Sequence, residues 1–439
     1  MKFYNREEEL KSLKEIELSS KQSSKMTIIY GRRRVGKTTL VKKAYDKKVY
    51  LFISKKSEAL LVQEFVTIIE NELNTKILGE FKSFTKLLEY LLLLSQNRPF
   101  TLIIDEFQEF FYINSSIFSD IQNLWDEYKD NSKLNIIFCG SIYSLMKKIF
   151  ENQKEPLFNR ANNKLLLKPF KIDTIKEYMI DNNPNYTAMD IFALYIFTGG
   201  VAKYLEIFYD KGSFSYEDML ESIFSYNSLF IDEGKNILIE EFGKEYTTYF
   251  SILSLIASSK TSRSEIESIL EKNIGGYLDR LENEYSIIKK IKPILAKEGS
   301  RTIKYEIIDN FLAFWFRFIF KYKSAVEIEN YEFLKEIVKR DFNTFSGKFL
   351  EKYFKEQLLL TKIYSIIGSY WERGNQNEID IIAVDELNKN LLIAEVKINR
   401  RKINLNILEK KAKNIIPKFK GYKIEYRGFS LEDITQTIQ

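Results

Sequence analysis

A chain of 439 residues, 45% hydrophobic and 29% charged, has room for about three folded domains and too many core-forming side chains for wholesale disorder. One cysteine, Cys139, excludes a disulfide framework and a Cys-rich zinc site. The absence of histidine excludes Ser-His-Asp and Cys-His nucleophile systems and HExxH zinc chemistry, so any metal must be held by oxygen ligands, which favours Mg²⁺ or Mn²⁺.

The leading segment MKFYNREEEL lacks the apolar core of a signal peptide. Runs such as Leu91 to Leu94 and Phe311 to Phe316 are far shorter than a membrane span, so the expectation is a cytoplasmic protein with no membrane partner. Met26 to Tyr30, MTIIY, reads as a short strand, and Gly31, Arg32, Arg33, Arg34, Val35, Gly36, Lys37, Thr38 and Thr39 follow it before a helical pattern begins. This is strand, G-x-x-x-x-G-K-T, helix. Glycines let backbone N–H groups approach phosphates, a lysine reaches the β and γ oxygens, and a threonine hydroxyl meets Mg²⁺; ATP and Mg²⁺ are therefore the expected cofactors, with Mn²⁺ as a substitute for the metal.

Phe100 to Ile104, FTLII, is a continuous apolar run of the kind a buried parallel strand shows, and it ends in Asp105 and Glu106. Carboxylates at a strand's C-terminal edge face a ligand crevice, so Asp105 is assigned to Mg²⁺ and Glu106 to the attacking water. A further strand, NIIFC, leads to Gly140 and Ser141; Ser141 either senses the γ-phosphate or simply serves the turn.

The segments FYNREEEL, IYGRRRVGKTTL, LIIDEFQEF, IIFCGSIYSLM and PLFNRANNKLLLKPF together resemble the archaeal-type AAA+ ATPases, relatives of the STAND class. The resemblance implies that Phe3 and Arg6 contact the base region of the nucleotide. It also implies that Arg160 is an arginine finger reaching across a subunit interface, hence a homo-oligomer; a surface ion pair is the alternative for that residue. Thr198 to Leu205, TGGVAKYL, resembles the family's GGxPxYL lid signature with Ala202 in place of proline, and Lys203 is either a second sensor or a solvent-facing lysine.

Tyr246 to Pro293 predicts two helices, a third in GGYLDRLENEY and a basic β-run, which describes a winged helix-turn-helix. Ser264 is expected to start the middle helix, with Glu267 at capping-box spacing. The acidic third helix, with Asp279, Glu282 and Glu284, leaves both DNA reading and a connector role open. The segment IKYEIIDNFLAFWFRFIF, Ile303 to Phe320, resembles the family's YxIxDxFLxFWFRF signature, and its aromatics are expected in the core.

Beyond a polar connector at Lys321 to Asn330, a helix through Gly347 and Glu351 precedes Asn375 to Arg401, NQNEIDIIAVDELNKNLLIAEVKINRR. Alternation puts Glu378, Asp380 and Ile382 on one face of a first strand and Glu395 and Lys397 on one face of a second, with DELNKN as the turn. Paired, these strands bring Asp380 and Glu395 together beside Lys397: two carboxylates to hold a metal and an ammonium to position or activate water. The pattern, with a helical glutamate before it, resembles the PD-(D/E)xK restriction-endonuclease-like core, which implies catalytic roles for Glu351, Asp380, Glu395 and Lys397. The net charge of +6 is unevenly spread: Val396 to Arg427 holds eleven Lys or Arg against two Glu, suiting a DNA backbone or, equally, a solvated lysine-rich surface.

The predicted fold class is thus multidomain α/β: an AAA+ P-loop NTPase core at 1–168, a helical lid at 169–240, a winged helix-turn-helix at 241–325 and a C-terminal α/β restriction-endonuclease-like domain at 331–439. The expected function is ATP hydrolysis by a DNA-associated protein whose cycle controls a Mg²⁺-dependent nuclease module. The alternative is a nucleotide-dependent switch that binds nucleic acid or protein without cutting.

Overall fold

The computed structural model describes residues 1–296, 299, 302–372, 374 and 376–435, so Asn375, where the C-terminal hairpin sequence opens, lies outside the described residues. The residues group into two compact units, Phe3–Pro169 and a second made of Met1–Lys2 with Phe170–Gln439.

The first unit is built on five parallel strands, β1 (Lys25–Tyr30), β2 (Val49–Phe52), β3 (Phe100–Asp105), β4 (Leu134–Gly140) and β5 (Asn163–Leu166), in the order β2-β3-β4-β1-β5. Parallel pairing needs crossovers, and these helices cover both faces, which is why β1, β3 and β4 are apolar almost throughout. Alternate side chains divide between two cores. Met26, Ile28, Leu102, Ile104, Ile136 and Phe138 pack under the helices Glu58–Leu73, Phe84–Asn97 and Ile117–Tyr128. Ile29, Ile103, Ile137 and Cys139 face Leu13, Leu40 and Val41 from the helices Glu7–Ser20 and Lys37–Ala44, and Tyr45 just beyond the second.

The second unit opens with helices, among them Ile172–Asn182, Ala188–Thr198, Ala202–Lys211, Tyr216–Ile223 and Leu229–Phe242. Ala188–Thr198 is apolar on nearly every side and buried along most of its length, as a central helix must be; a capping box between Thr187 and Asp190 starts it. At Gly200 the backbone has φ +77, and a Cβ there would lie 2.1 Å from the Phe170 carbonyl oxygen, so only glycine fits. Helices Tyr246–Ala257, Arg263–Leu270 and Gly275–Asp279 lead into an antiparallel pair, β6 (Ile288–Ile291) and β7 (Lys304–Ile307). The middle helix starts two residues earlier than expected: Ser262, not Ser264, caps it by accepting from Glu265 N. The sequence SRSEIE offers two S-x-x-E registers, and in the one adopted Glu267 instead accepts from Arg263 Nε at 2.8 Å and Ile274 N at 3.1 Å.

Phe311, Phe314, Trp315, Phe316 and Phe318 are buried, and Trp315 Nε1 donates to Ile231 O at 2.8 Å. A long helix, Tyr331–Leu360, then packs on a four-stranded sheet of β8 (Ile366–Tyr370), β9 (Ile379–Asp385), β10 (Asn390–Lys397) and β11 (Lys423–Ser430), ordered β11-β10-β9-β8. β9 pairs antiparallel with β8 and β10, whereas β10 and β11 run parallel. Among the described residues, no helix is long and apolar enough to cross a membrane.

Candidate functional site

The tip of β1 delivers the chain into a loop with positive φ at Gly31, Arg34 and Gly36. Gly31 has φ +154, with a hypothetical Cβ 2.3 Å from Leu167 O, and Gly36 sits left-handed at φ +96 as the first helical residue approaches. Val35 is buried in the core under the loop, Arg33 and Thr39 are exposed, and Arg32 and Arg34 are half-buried. The Lys37 side chain is 6% exposed, and its ammonium donates to the carbonyls of Gly31 at 2.8 Å and Arg32 at 3.0 Å. Burial pushes this ammonium below its ordinary value, opposed by the carboxylates of Glu106 and Asp105. A nearly buried cation at the N-terminus of a helix, held only by neutral carbonyls, is a seat for an anion.

Asp105, at the end of β3, is 3% exposed. Its Oδ2 accepts from the Thr38 hydroxyl at 2.8 Å and the Tyr50 phenol at 2.6 Å, and its Oδ1 accepts from Glu106 N at 3.0 Å. A hydroxyl and a carboxylate brought together are hard oxygen donors of the kind Mg²⁺ takes, so these residues fit that ion. Glu106 is left-handed at φ 55, an uncommon conformation for a non-glycine residue. Its Oε2 accepts from Ser141 Oγ and from Gln108 Nε2, both at 2.6 Å. The structure thus gathers Gly31, Gly36, Lys37, Thr38, Asp105, Glu106 and Ser141 at the strand tips. It adds Tyr50 and Gln108, which sequence reasoning missed. Gln108 carried a signal, a lone amide inside the aromatic run EFQEFF; Tyr50 carried none, since only the pairing of β2 with β3 brings it to Asp105.

Phe3 packs on the core that holds the helix Lys37–Ala44, with the Lys43 ammonium 4.0 Å from its ring centre. Arg6, 8% exposed, donates to Glu9 Oε1 at 3.0 Å and Lys168 O at 2.6 Å. Arg160 lies apart from the strand tips' hydrogen-bond network: it pairs with Asp126 at 3.0 Å and donates to Phe158 O at 3.1 Å, the ion-pair arrangement rather than an extended finger. Lys203 pairs with Glu206 at 2.9 Å.

In the second unit, Ala394 opposes Ile381, so Asp380 and Glu395 sit side by side at the next step of the ladder. Lys397 Nζ lies 3.2 Å from Asp380 Oδ2 and 3.5 Å from Glu395 Oε1, while Lys411 approaches the same Glu395 oxygen at 3.4 Å. Asp380 Oδ2 also accepts from Val396 N at 2.8 Å, and Glu395 Oε2 from Asn404 N at 3.2 Å. Glu378, beyond the strand, is exposed and turned to Lys304 at 2.9 Å. Glu351 stands on the long helix with Lys355 at 3.4 Å; burial pushes its carboxyl up to about 7, with Lys355 opposing and Asp380 reinforcing the shift. Among the described residues, no three of His, Cys, Asp and Glu are grouped as metal ligands. Two adjacent carboxylates, Asp380 and Glu395, still fit a hard cation that keeps several of its waters.

Residues 3–208 match a family described as an ATPase domain predominantly from Archaea, and residues 315–434 match one described as Archaea bacterial proteins of unknown function. The chain is similar to the uncharacterized protein MJECL04 of Methanocaldococcus jannaschii, 30% identical over 407 residues that make up 90% of this chain and 87% of that protein. Among solved structures it is similar to the Walker-type ATPase Paby2304 of Pyrococcus abyssi, with TM-score 0.52 and 20% identity over 72% of this chain and 96% of that one. It is also similar to the Aeropyrum pernix ORC2 protein in its ADPNP-ADP complexes, with TM-score 0.50 and 13% identity over 77% and 96%. At such identities these structures speak for the fold, an α/β P-loop ATPase core on a parallel sheet.

Proposed function

The chain belongs to the same family as the Methanocaldococcus protein, one that opens with an archaeal ATPase domain, and from that premise we propose that it binds and hydrolyses ATP at the Gly31–Thr38 loop. The observation that carries this reading is the 2.8 Å bond between Thr38 and Asp105, beside a buried lysine whose acceptors are carbonyls of its own loop. On ATP binding, the β- and γ-phosphate oxygens would replace those carbonyls as partners of Lys37. Thr38 and Asp105 would hold Mg²⁺, which when bound neutralises charge on the phosphates. Glu106 is the residue to orient and polarise the attacking water; Ser141 and Gln108 hold its carboxylate in position through two short hydrogen bonds. Phe3 and Arg6 serve the base side of the nucleotide, and Arg160 would serve a neighbouring subunit only after release from Asp126.

For the second unit we propose a winged helix, supported by three successive helices and the β6–β7 pair, followed by a restriction-endonuclease-like domain acting on DNA. Asp380 and Glu395 would hold Mg²⁺ or Mn²⁺, and Lys397 would position the attacking water. ATP turnover would govern that cutting. A nucleotide-dependent switch that binds without cutting is the second reading; it draws support from the engagement of both carboxylates by Lys397 and Lys411. Incubation of the purified protein with plasmid and with short duplex or branched DNA, with Mg²⁺ or Mn²⁺ and with or without ATP, separates the two. ATP-responsive cutting supports the nuclease reading, and retained binding with no cutting under any condition supports the switch.

A further inference from the structure

The second unit contains a cleft of about 610 Å³ between the β6–β7 pair and the long helix, with Asp380 in its wall. Among the described residues, seven lysines and five carboxyl side chains line it, six of the lysines from β6, β7 and the long helix and Lys292 from just after β6. Several are tied locally: Lys289 pairs with Glu306 at 3.1 Å, Lys304 with Glu378 at 2.9 Å, and Lys355 donates to Ser369 Oγ at 2.6 Å. Among the described residues, two half-buried ones, Lys348 and Lys352, have no carboxylate within ion-pair distance. Lys352 spends its hydrogen bonds on the neutral Ile308 carbonyl at 2.7 Å and Asn310 Oδ1 at 2.6 Å. Lys348, among the described residues, pairs with no carboxylate and lies over the rings of Phe345 and Phe349 at 5.3 and 5.2 Å. Half-buried cations with no ion-pair partner, in a cleft whose lysines outnumber its carboxyl groups, leave an excess of positive charge that an anionic occupant would neutralise.

We propose that this cleft is the channel for a single-stranded stretch of DNA, whose phosphodiester backbone lies along Lys348 and Lys352 on its way to Asp380. The inference rests on the nuclease reading of the C-terminal sheet and adds the substrate class to it. Size selects the single strand. A cleft of about 610 Å³ is the size of a small-ligand pocket and holds roughly a nucleotide or two of one strand, not a whole duplex. A frayed end, a flap or a gap enters such a cleft and an intact duplex does not. The lysines act through charge, so binding is sequence-tolerant and falls with salt.

The test measures fluorescence anisotropy of a labelled single strand, a blunt duplex and a duplex with a single-stranded flap, in chelator so that no cutting occurs. Wild type, Lys348→Met, a Lys348→Met/Lys352→Gln double variant and Asp380→Asn are compared, with thermal melts reporting the fold. The expected result is that single strand and flap bind on the order of tenfold more tightly than blunt duplex. The double variant should lose about tenfold on the single strand and shed about one to two from the salt slope. Blunt duplex bound as tightly as single strand, or lysine variants that melt cooperatively and bind like wild type, overturns the proposal. The nuclease reading fails separately: wild type that binds single strands as expected yet cuts none of them with Mg²⁺ or Mn²⁺ retires the cutting and leaves the channel standing.

Discussion

Replacing Lys348 by methionine should make the second unit more stable at neutral pH. Burial pushes the Lys348 ammonium from its ordinary value near 10.5 down to about 8, with Glu306 of β7 opposing the shift and Arg317 and Lys352 adding to it. At about 1.4 kcal/mol per unit, a fall of that size sets an upper bound of about 3 kcal/mol on the cost of keeping the charge inside at pH 7. The side chain is partly hydrated and lies over two phenyl rings, so about 1 to 2 kcal/mol is expected to return when methionine, similar in length and able to pack on the same rings, takes its place. The sign with pH follows from the depressed value. The cost is fully present below about pH 8 and fades as pH rises toward about 10.5, because the folded form then releases a proton that the unfolded form still holds. Thermal melts of wild type and Lys348→Met from neutral to alkaline pH provide the assay. The variant should melt several degrees higher at pH 7, and the gap should close as the buffer becomes alkaline. A variant less stable at pH 7, or a gap independent of pH, refutes the reasoning. A stabilising change that also weakens single-strand binding would mark Lys348 as a residue kept for function at the expense of the fold.

Glu106→Gln should leave ATP binding near wild type and slow hydrolysis by roughly 10²- to 10³-fold, since it removes the carboxylate that polarises water and little else; nucleotide titration and phosphate release read the two parts. Asp380→Asn should end DNA cutting while ATP hydrolysis continues, and cutting that persists in this variant would remove Asp380 from the site. Gly200→Ala puts a Cβ against the Phe170 carbonyl at a left-handed backbone and should cost about 2 kcal/mol or more, visible as a lower melting temperature; an unchanged melt would show that the turn relaxes freely.

The parts legible from sequence were those whose geometry is local. MTIIYGRRRVGKTT gives strand, loop and helix within one short segment, and the Asp-Glu pair ends a strand whose apolar run marks it as central. Asp380, Glu395 and Lys397 were legible because period-two alternation and a short turn determine which side chains meet, and the Asp385 carboxylate closes that turn on Asn388. What escaped depends on distant pairing. Tyr50 reaches Asp105 only through the β2–β3 register, and β8 and β11 flank the hairpin from segments with no strong pattern of their own. The start of the helix at Ser262 escaped for the opposite reason, since two neighbouring serines offered the same cap spacing. The family resemblance assigns Arg160 a role that needs a second chain, and within one chain it pairs with Asp126. The lysine cleft draws on β6, β7 and one face of a 30-residue helix, a convergence no single stretch announces.

The central claim, that the Gly31–Thr38 loop is a working ATPase site, is tested most directly by phosphate release from ATP in the presence of Mg²⁺, comparing wild type with Lys37→Ala. The account predicts steady release by wild type and loss of on the order of 10³-fold or more in the variant, with the variant still folded by thermal melt. Equal release by the two proteins would contradict it.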